Sequence, residues 1–432
     1  MGFWNMKKIY WRPRAVSRPA LLLIALISIA GLIVVERWKV ETPQPYREEK
    51  LAAAKLAEDA FDVIKAARID VGPPIDKTID PSESGLIGIP MSAVTTVIGD
   101  VSAKQTSVNP NFAAIIVAML KEAGVQEGDV VAVGMSGSFP ALNICTYAAC
   151  ETLKLKPLVI SSASASQWGA NVPALLWPDM ELLLREKGKK IAIVDADGKP
   201  VLDENGQPTF REEGLFPDIT SIACSIGGHQ DRGLGLNEDG LRLVKASIER
   251  NGLQPFRVEQ AKPITAENPM EMADLQADFT ANIDDRMELY KEKAEGKPIK
   301  AYINVGGGMI STGKNVGKLM FHPGLNERPP RNIREIDGVM PRFARDDVPV
   351  IHVVHVNALA NRFTLPLEPA DAPSIGEGGV FTGVDYSKPL VIGVLAFILL
   401  CLYGFIRSDV GFRILRASQG NRQRDTHPEP MV

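Results

Sequence analysis

Residues 130–144 read VVAVGMSGSFPALNI. The apolar run at 130–133 predicts a buried strand, GMSGS (134–138) predicts a tight turn, and Pro140 suits the first turn of a helix. An apolar run that ends in small polar residues recurs at 156–166, 219–233 and 299–313. Continuous apolar strands that alternate with helices are typical of a parallel sheet. The sequence therefore predicts an α/β fold, with a mainly parallel sheet and helices on both faces.

The rest of the sequence predicts the other strands and helices of this fold. Strands are predicted at 129–134, 156–161, 190–195, 219–226, 299–305 and 348–356, and helices at 112–123, 140–153, 172–186, 238–250 and 274–294. The turn formers at 197–198 and 205–206 indicate a hairpin insertion after the strand at 190–195.

Four of the predicted strands end in small polar residues, and this pattern predicts a ligand site. In an open parallel sheet, ligands bind beyond the carboxyl ends of the strands. Backbone amides and hydroxyl groups at such ends suit an anion, and an arginine beside them suits a carboxylate. The candidate ligand-binding residues are Gly134, Gly137, Ser138, Ser161, Ser162, Arg232, Gly306, Gly307, Gly308, Ser311, Thr312 and Lys314.

GGGMISTGKN, residues 306–315, is close to a nucleotide-binding loop. From Gly308 it has the spacing G-x-x-x-x-G-K, but Asn315 stands where serine or threonine would bind magnesium. Nucleotide binding is therefore a minor alternative, and a glycine-rich turn that holds a carboxylate or phosphate is the main interpretation.

A serine-dependent enzyme is the main alternative. Gly134 to Ser138 resembles a nucleophile elbow, but its second glycine comes one position early. Ser136 is the candidate nucleophile, and His229 with Asp231 is the candidate base and its partner. The cysteine and acidic spacings suggest no metal site, disulfide framework or other cofactor.

Two charge-free segments predict membrane anchors at the ends of the chain. Residues 19–35 and 389–406 each approach the length that spans a bilayer as a helix. Glu36, Arg37, Trp38 and Lys39 follow the first segment where a cleaved signal peptide would have small residues, so an uncleaved anchor is predicted.

Charge predicts the orientation of these anchors. The tails at 1–18 and 407–432 are basic and are expected in the cytoplasm. The whole chain carries 48 basic and 52 acidic residues, so the portion between the anchors is acidic and is not expected to bind nucleic acid. The predicted location is the cytoplasmic membrane, with the main domain outside.

The predicted segments between the tails are a transmembrane helix (19–35), an amphipathic stalk helix with loops (36–110), an α/β domain (111–360) with a candidate subdomain boundary near 253–270, a linker (361–388) and a second transmembrane helix (389–406).

The string SGLIGIPMSAVTTVIGDVSAKQTSVNPNFAAIIVAMLKEAGVQEGDVVAVGMSGSFPALNI (84–144), followed by VISSASASQWGAN (159–171), resembles the poly-gamma-glutamate system protein family. The resemblance extends over most of residues 84–360. It implies a bacterial membrane protein associated with synthesis and export of the poly-gamma-glutamate capsule, and it supplies no catalytic residues.

The leading expectation is therefore a membrane-anchored component whose outside domain binds the polymer, its carboxylates or a partner subunit of the synthesis and export machinery. The enzymatic alternative is an amidohydrolase or transpeptidase that acts on poly-gamma-glutamate through Ser136 and His229. The sequence leaves open whether any reaction is catalysed.

Overall fold

The structure, a computed structural model, describes residues 18–193, 200–203, 207–260 and 271–407, except the side chains of 18–20, 314–315 and 406–407. The predicted basic tails, apart from their innermost residues, and part of the candidate boundary at 253–270 lie outside the described residues. The chain forms two compact units, one at Gln44–Phe381 and one made of the segments that flank it.

The described helices and strands follow in chain order. The helices are α1 (Arg18–Arg37), α2 (Arg47–Val71), α3 (Val101–Ser107), α4 (Phe112–Glu122), α5 (Pro140–Thr152), α6 (Trp177–Glu186), α7 (Glu238–Arg250), α8 (Met272–Lys293), α9 (Met309–Thr312), α10 (Lys314–Met320), α11 (Val339–Arg345), α12 (Val356–Arg362) and α13 (Lys388–Arg407). The strands are β1 (Lys39–Pro43), β2 (Val130–Met135), β3 (Lys156–Ser162), β4 (Asn171–Val172), β5 (Leu175–Leu176), β6 (Gly188–Ala192), β7 (Phe210–Gly214), β8 (Ser221–Ser225), β9 (Ile299–Val305), β10 (Gly324–Asn326), β11 (Val350–Val353) and β12 (Thr382–Tyr386).

The central sheet has the strand order β10-β11-β9-β2-β3-β8. The neighbours from β11 to β8 pair in parallel, and the edge strand β10 is antiparallel. The prediction of a mainly parallel sheet is confirmed. The first of these strands in the chain, β2, lies in the middle, so the order reverses between β2 and β9. Such a reversal opens a crevice at the carboxyl ends of the strands, because successive helices cross to opposite faces.

Helices cover both faces of this sheet, as predicted. Along β2, Val131 and Val133 belong to the core cluster that includes α2, α4 and α5. Ala132 lies between them in sequence and belongs to the cluster that includes α8 and α11. Because successive strand side chains point to opposite faces, this alternation places one core on each side.

Two predicted elements are placed differently in the structure. Where a strand was predicted at 190–195, β6 pairs antiparallel with β7 as a hairpin separate from the central sheet. Residues 194–195 and the predicted turns at 197–198 and 205–206 lie outside the described residues. The half-exposed pattern of β6 explains this placement, because an interior strand of a parallel sheet is covered on both faces. The predicted stalk helix, α2, packs against α4 and α5 and buries Ala53, Ala57, Phe61 and Ile64. It is therefore part of the α/β unit.

The other unit contains α1, β1, β12 and α13. Strands β1 and β12 pair antiparallel, with Lys39 opposite Tyr386, and α1 packs against α13. A side chain at Gly31 would meet Val394 Cγ1 at 2.6 Å, so glycine allows close approach of the two helices. Among the described residues, Lys388–Phe405 is the one helical window long and apolar enough to cross a membrane. The predicted span at 19–35 lies within α1, and its insertion in a membrane stays a prediction.

Candidate functional site

A cavity of about 390 Å³ lies at the carboxyl edge of the central sheet, where the strand order reverses. Its walls come from the segments after β2, β3, β8 and β9, and from residues 96–104. The four small-residue strand ends therefore meet in one place, as the parallel topology requires.

The structure brings most of the sequence-predicted site residues to this cavity. Those that line it are Gly134, Ser136, Ser138, Ser162, His229, Asp231, Gly307, Gly308 and Ser311. Gly137, Ser161, Arg232, Gly306 and Thr312 do not line it. The side chain of Lys314 lies outside the described part of the chain.

A hydrogen-bonded network under the β9 end explains the glycine at position 134. The Tyr302 hydroxyl lies 2.6 Å from Ser311 Oγ, which donates to Asn304 Oδ1. Asn304 Nδ2 lies 3.0 Å from His352 Nδ1. A side chain at Gly134 would meet the Tyr302 hydroxyl at 2.3 Å, so no larger residue fits without moving the tyrosine. Burial lowers the pKa of His352 to about 3, so the imidazole is neutral at physiological pH.

The guanidinium at the cavity belongs to Arg286 of α8, which the sequence analysis missed. Arg286 forms an ion pair with Asp231, and Ser225 Oγ donates to the other Asp231 oxygen at 2.9 Å. The predicted carboxylate-binding residue, Arg232, is buried outside the cavity lining and pairs with Asp278 at 2.8 Å. The interpretation of Arg232 is therefore corrected, because that guanidinium is engaged by a carboxylate of the protein itself.

The predicted catalytic residues do not form a relay. His229 is exposed, and within the described residues no hydrogen bond joins it to Ser136. Ser136 Oγ accepts a hydrogen bond from the Ser138 amide at 3.4 Å. Asp231 interacts with Arg286 and Ser225, so its carboxylate does not orient His229.

Lys104 of α3 is the second residue that the sequence analysis missed. Its residue surface is 2% exposed, and its amine donates to the Ser138 carbonyl and, at 3.0 Å, to Ser166 Oγ. The amine also lies 3.7 Å from the centre of the Phe139 ring. Burial lowers the pKa of Lys104 to about 7, although Asp100 opposes this shift. The sequence did carry a signal, since Lys104 is the one charged residue between Asp100 and Lys121.

The cavity presents two polar groups, Ser164 Oγ and Lys318 Nζ, for which the described residues supply no partner. Ser164 is 3% exposed, and its hydroxyl makes no hydrogen bond within the described part of the chain. The Lys318 amine lies beside Gly307, where an added side chain would meet it at 3.2 Å. Across the described ranges, Lys318 forms neither an ion pair nor a side-chain hydrogen bond. A buried hydroxyl and an unpaired ammonium together suit a polar ligand that accepts hydrogen bonds.

The glycine-rich segment at 306–315 does not have the form of a phosphate-binding loop. Residues Met309–Thr312 form one helical turn, in which the amides of Thr312 and Gly313 donate to the carbonyls of Gly308 and Met309. Those amides are engaged within the chain, whereas a phosphate cradle needs amides directed at the ligand. The geometry gives no support to the nucleotide alternative.

The fold is that of a doubly wound α/β domain. Its polar cavity lies at the switch point, which is the place between β2 and β9 where the strand order reverses. Comparison of the chain with protein-family models, with curated proteins and with solved structures finds no match. The site itself is therefore what indicates the function.

Proposed function

We propose that this protein is a membrane-anchored component of poly-gamma-glutamate capsule synthesis or export, whose α/β domain binds carboxylates of the polymer in the switch-point cavity. The observation that carries the proposal is that Lys318, which forms no ion pair within the described residues, and Arg286 meet at one cavity lined by serine hydroxyls, in a chain with more acidic than basic residues. An acidic domain can bind a polyanion only where it concentrates positive charge locally.

The individual charges support this assignment. Asp231 offsets the charge of Arg286, and Asp100 is the other acidic residue among those described at the cavity. Within the described residues Lys318 has no acidic partner, so its ammonium is available to a ligand carboxylate. Hydroxyl groups of Ser136, Ser162 and Ser164 also line the cavity, and each can donate to a carboxylate oxygen.

The volume of the cavity limits how large a part of the polymer it can hold. About 390 Å³ falls within the range of ~300–1,000 Å³ that small-molecule sites occupy. Such a cavity accommodates a chain end or a short gamma-glutamyl segment. The ligand is therefore a terminus or a short piece of the polymer, bound as the chain is made or exported.

Binding is tested with purified full-length protein and a gamma-linked glutamate trimer, by titration calorimetry at low salt. Lys318→Ala should weaken binding by roughly tenfold, as expected when one charge-assisted hydrogen bond of ~1.5 kcal/mol is lost. Lys156→Ala is the matched control, because this exposed lysine begins β3 at the opposite edge of the sheet. Equal weakening by both substitutions would show a general charge effect and would contradict a site in the cavity.

The two-helix anchor, with both termini in the cytoplasm, is part of the same proposal. It is supported by the apolar window at Lys388–Phe405 and by the basic residues outside both apolar segments. Single cysteines at Gly2 and Asp203 test it in intact cells whose native cysteines have been replaced. Asp203→Cys should react with a membrane-impermeant maleimide and Gly2→Cys should not, and the reverse pattern would contradict the proposed orientation.

The process is tested by polymer output in the natural host. Lys318→Ala at wild-type membrane abundance should reduce the amount or the length of the polymer, whereas Lys156→Ala should leave both unchanged. Normal amount and length of the polymer in Lys318→Ala cells would show that polymer production does not require ligand binding in the cavity.

A further inference from the structure

A lysine amine contacts a serine hydroxyl inside the cavity. Lys104 and Ser166 both line it, and their residue surfaces are 2% and 5% exposed. Lys104 Nζ lies 3.0 Å from Ser166 Oγ. The Ser166 amide donates to Ser138 Oγ at 3.1 Å, which fixes the backbone that carries the hydroxyl. The two side chains are therefore held in the contact that a nucleophile and its base require.

The surroundings of the amine favour its neutral form. Across the described ranges, no carboxylate lies within ion-pair distance of Lys104 Nζ. A buried ammonium without a counter-charge is disfavoured relative to the amine. Lys104 Nζ donates to the Ser138 carbonyl and to Ser166 Oγ, and Ser166 Oγ donates to the Gln167 carbonyl at 3.4 Å. When the amine is neutral, its lone pair can take the Ser166 proton instead. The pKa of about 7 makes this form accessible at physiological pH.

We propose that Ser166 and Lys104 are a nucleophile and general base that act on an amide or ester carbonyl of a ligand bound in this cavity. The class of ligand, a gamma-glutamyl chain, rests on the proposed function, whereas the serine–lysine pair does not. Serine–lysine pairs perform the same chemistry as serine–histidine pairs on unrelated folds. The pair also differs from the combination of Ser136 and His229 that the sequence suggested.

The reaction balances with water as the only co-reactant. Ser166 Oγ bonds to the carbonyl carbon while its proton passes to Lys104 Nζ. The carbon–nitrogen bond then breaks, and Lys104 returns the proton to the departing amine. Water attacks the acyl–serine ester, giving its proton to Lys104, and Lys104 protonates Ser166 Oγ as the carboxylic acid leaves. An amine acceptor in place of water would give transfer of the acyl group.

Covalent labelling of the full-length protein with a fluorophosphonate tests the pair independently of any ligand. The probe forms a phosphorus–oxygen bond to the active serine and releases fluoride. Mass spectrometry should find the label on Ser166, and Ser166→Ala should abolish it. Ser374→Ala is the matched control, since Ser374 is exposed and does not line the cavity. Lys104→Met should slow labelling by at least ~100-fold at pH 7.5, because general base catalysis contributes that much.

The pH dependence of the labelling rate distinguishes a lysine that acts as a general base from a lysine with only a structural role. The wild-type labelling rate should rise with pH about a midpoint near 7, and Lys104→Met should remove this dependence. The other titratable groups at the cavity are Asp100, His229, Asp231, Arg286, Tyr302 and Lys318. A midpoint that is lost with His229→Gln and kept with Lys104→Met would assign the titration to His229 and overturn the proposal.

Each of the remaining outcomes of the labelling experiment also supports or overturns the serine–lysine pair. A label on Ser136, or no label on wild type between pH 6 and 9, would overturn the pair while leaving ligand binding intact. A labelled Ser166 in protein that does not bind the gamma-linked trimer would support the pair and refute the ligand class. Unfolding temperatures of all variants show whether lost labelling reflects lost structure, and Ser166→Ala, which removes one oxygen, should keep the wild-type value within a few degrees.

Discussion

Asp231→Asn should destabilise the α/β unit and strengthen anion binding at the same time. The Asp231 and Arg286 side chains are 9% and 10% exposed, and their charged groups are in contact. Asp231 has a positive φ of 61°, a conformation that asparagine also tolerates. Asparagine can still accept the hydrogen bond from Ser225 Oγ. The asparagine NH2 group then faces Arg286, so the substitution removes both the negative charge and the hydrogen bond that Arg286 donates.

The size of the effect follows from the buried ion pair. Two unit charges ~4 Å apart interact by about 4 kcal/mol at an effective dielectric constant of 20. Leaving one partner of a buried pair unneutralised costs roughly 3–5 kcal/mol. We expect Asp231→Asn to lower the free energy of unfolding by about 3–4 kcal/mol. Binding of the gamma-linked trimer should tighten by roughly tenfold, or ~1.4 kcal/mol, because Arg286 then adds its full charge to the cavity.

The assay is urea unfolding of the full-length protein in detergent, followed by tryptophan fluorescence, to which fully buried Trp177 contributes. The control is Asp239→Asn, since Asp239 and Arg242 form an ion pair in which both side chains are 71% exposed. This control should lose less than ~1 kcal/mol. A loss below about 1 kcal/mol for Asp231→Asn would refute the account of the ion pair. Weaker trimer binding by a folded Asp231→Asn protein would refute the account of the cavity charge.

Three further predictions concern other parts of the chain. Gly134→Ala should cost roughly 1–3 kcal/mol of stability in the same unfolding assay, because its side chain would lie 2.3 Å from the Tyr302 hydroxyl, and a wild-type value would refute the steric argument. The stability of wild type relative to Lys104→Met should rise with pH from about 7 towards 10.5, because the unfolded lysine binds its proton more tightly than the buried one. Unfolding temperatures of both proteins measured across this range check the sign, and a flat or falling difference would contradict it. Gly31→Leu should loosen the packing of α1 on α13, because even its first side-chain carbon would lie 2.6 Å from Val394 Cγ1. Disulfide trapping between cysteines introduced in the two helices should then fall, whereas unchanged trapping would show that the helices do not depend on that contact.

The sequence was most informative where structure is dictated locally. Apolar runs that end in small polar residues predicted β2, β3, β8 and β9, because a strand buried on both faces needs a continuous apolar run. The position of the cavity followed as well, since the carboxyl ends of parallel strands share one edge. The strand predicted at 190–195 is present in part as β6, but a short apolar run does not say which strand it pairs with.

The sequence by itself determined the parallel α/β architecture, the shared edge of the small-residue strand ends and the apolar face of α2. Tertiary structure alone decided that this face is buried against α4 and α5, because periodicity defines a face and not its partner. It also decided that Arg286 reaches the cavity while Arg232 pairs with Asp278. Both arginines have nearby acids in the sequence, so composition cannot distinguish them. The contact between Lys104 and Ser166 joins residues 62 positions apart, and only the folded chain brings them together and removes the water that would keep the lysine charged.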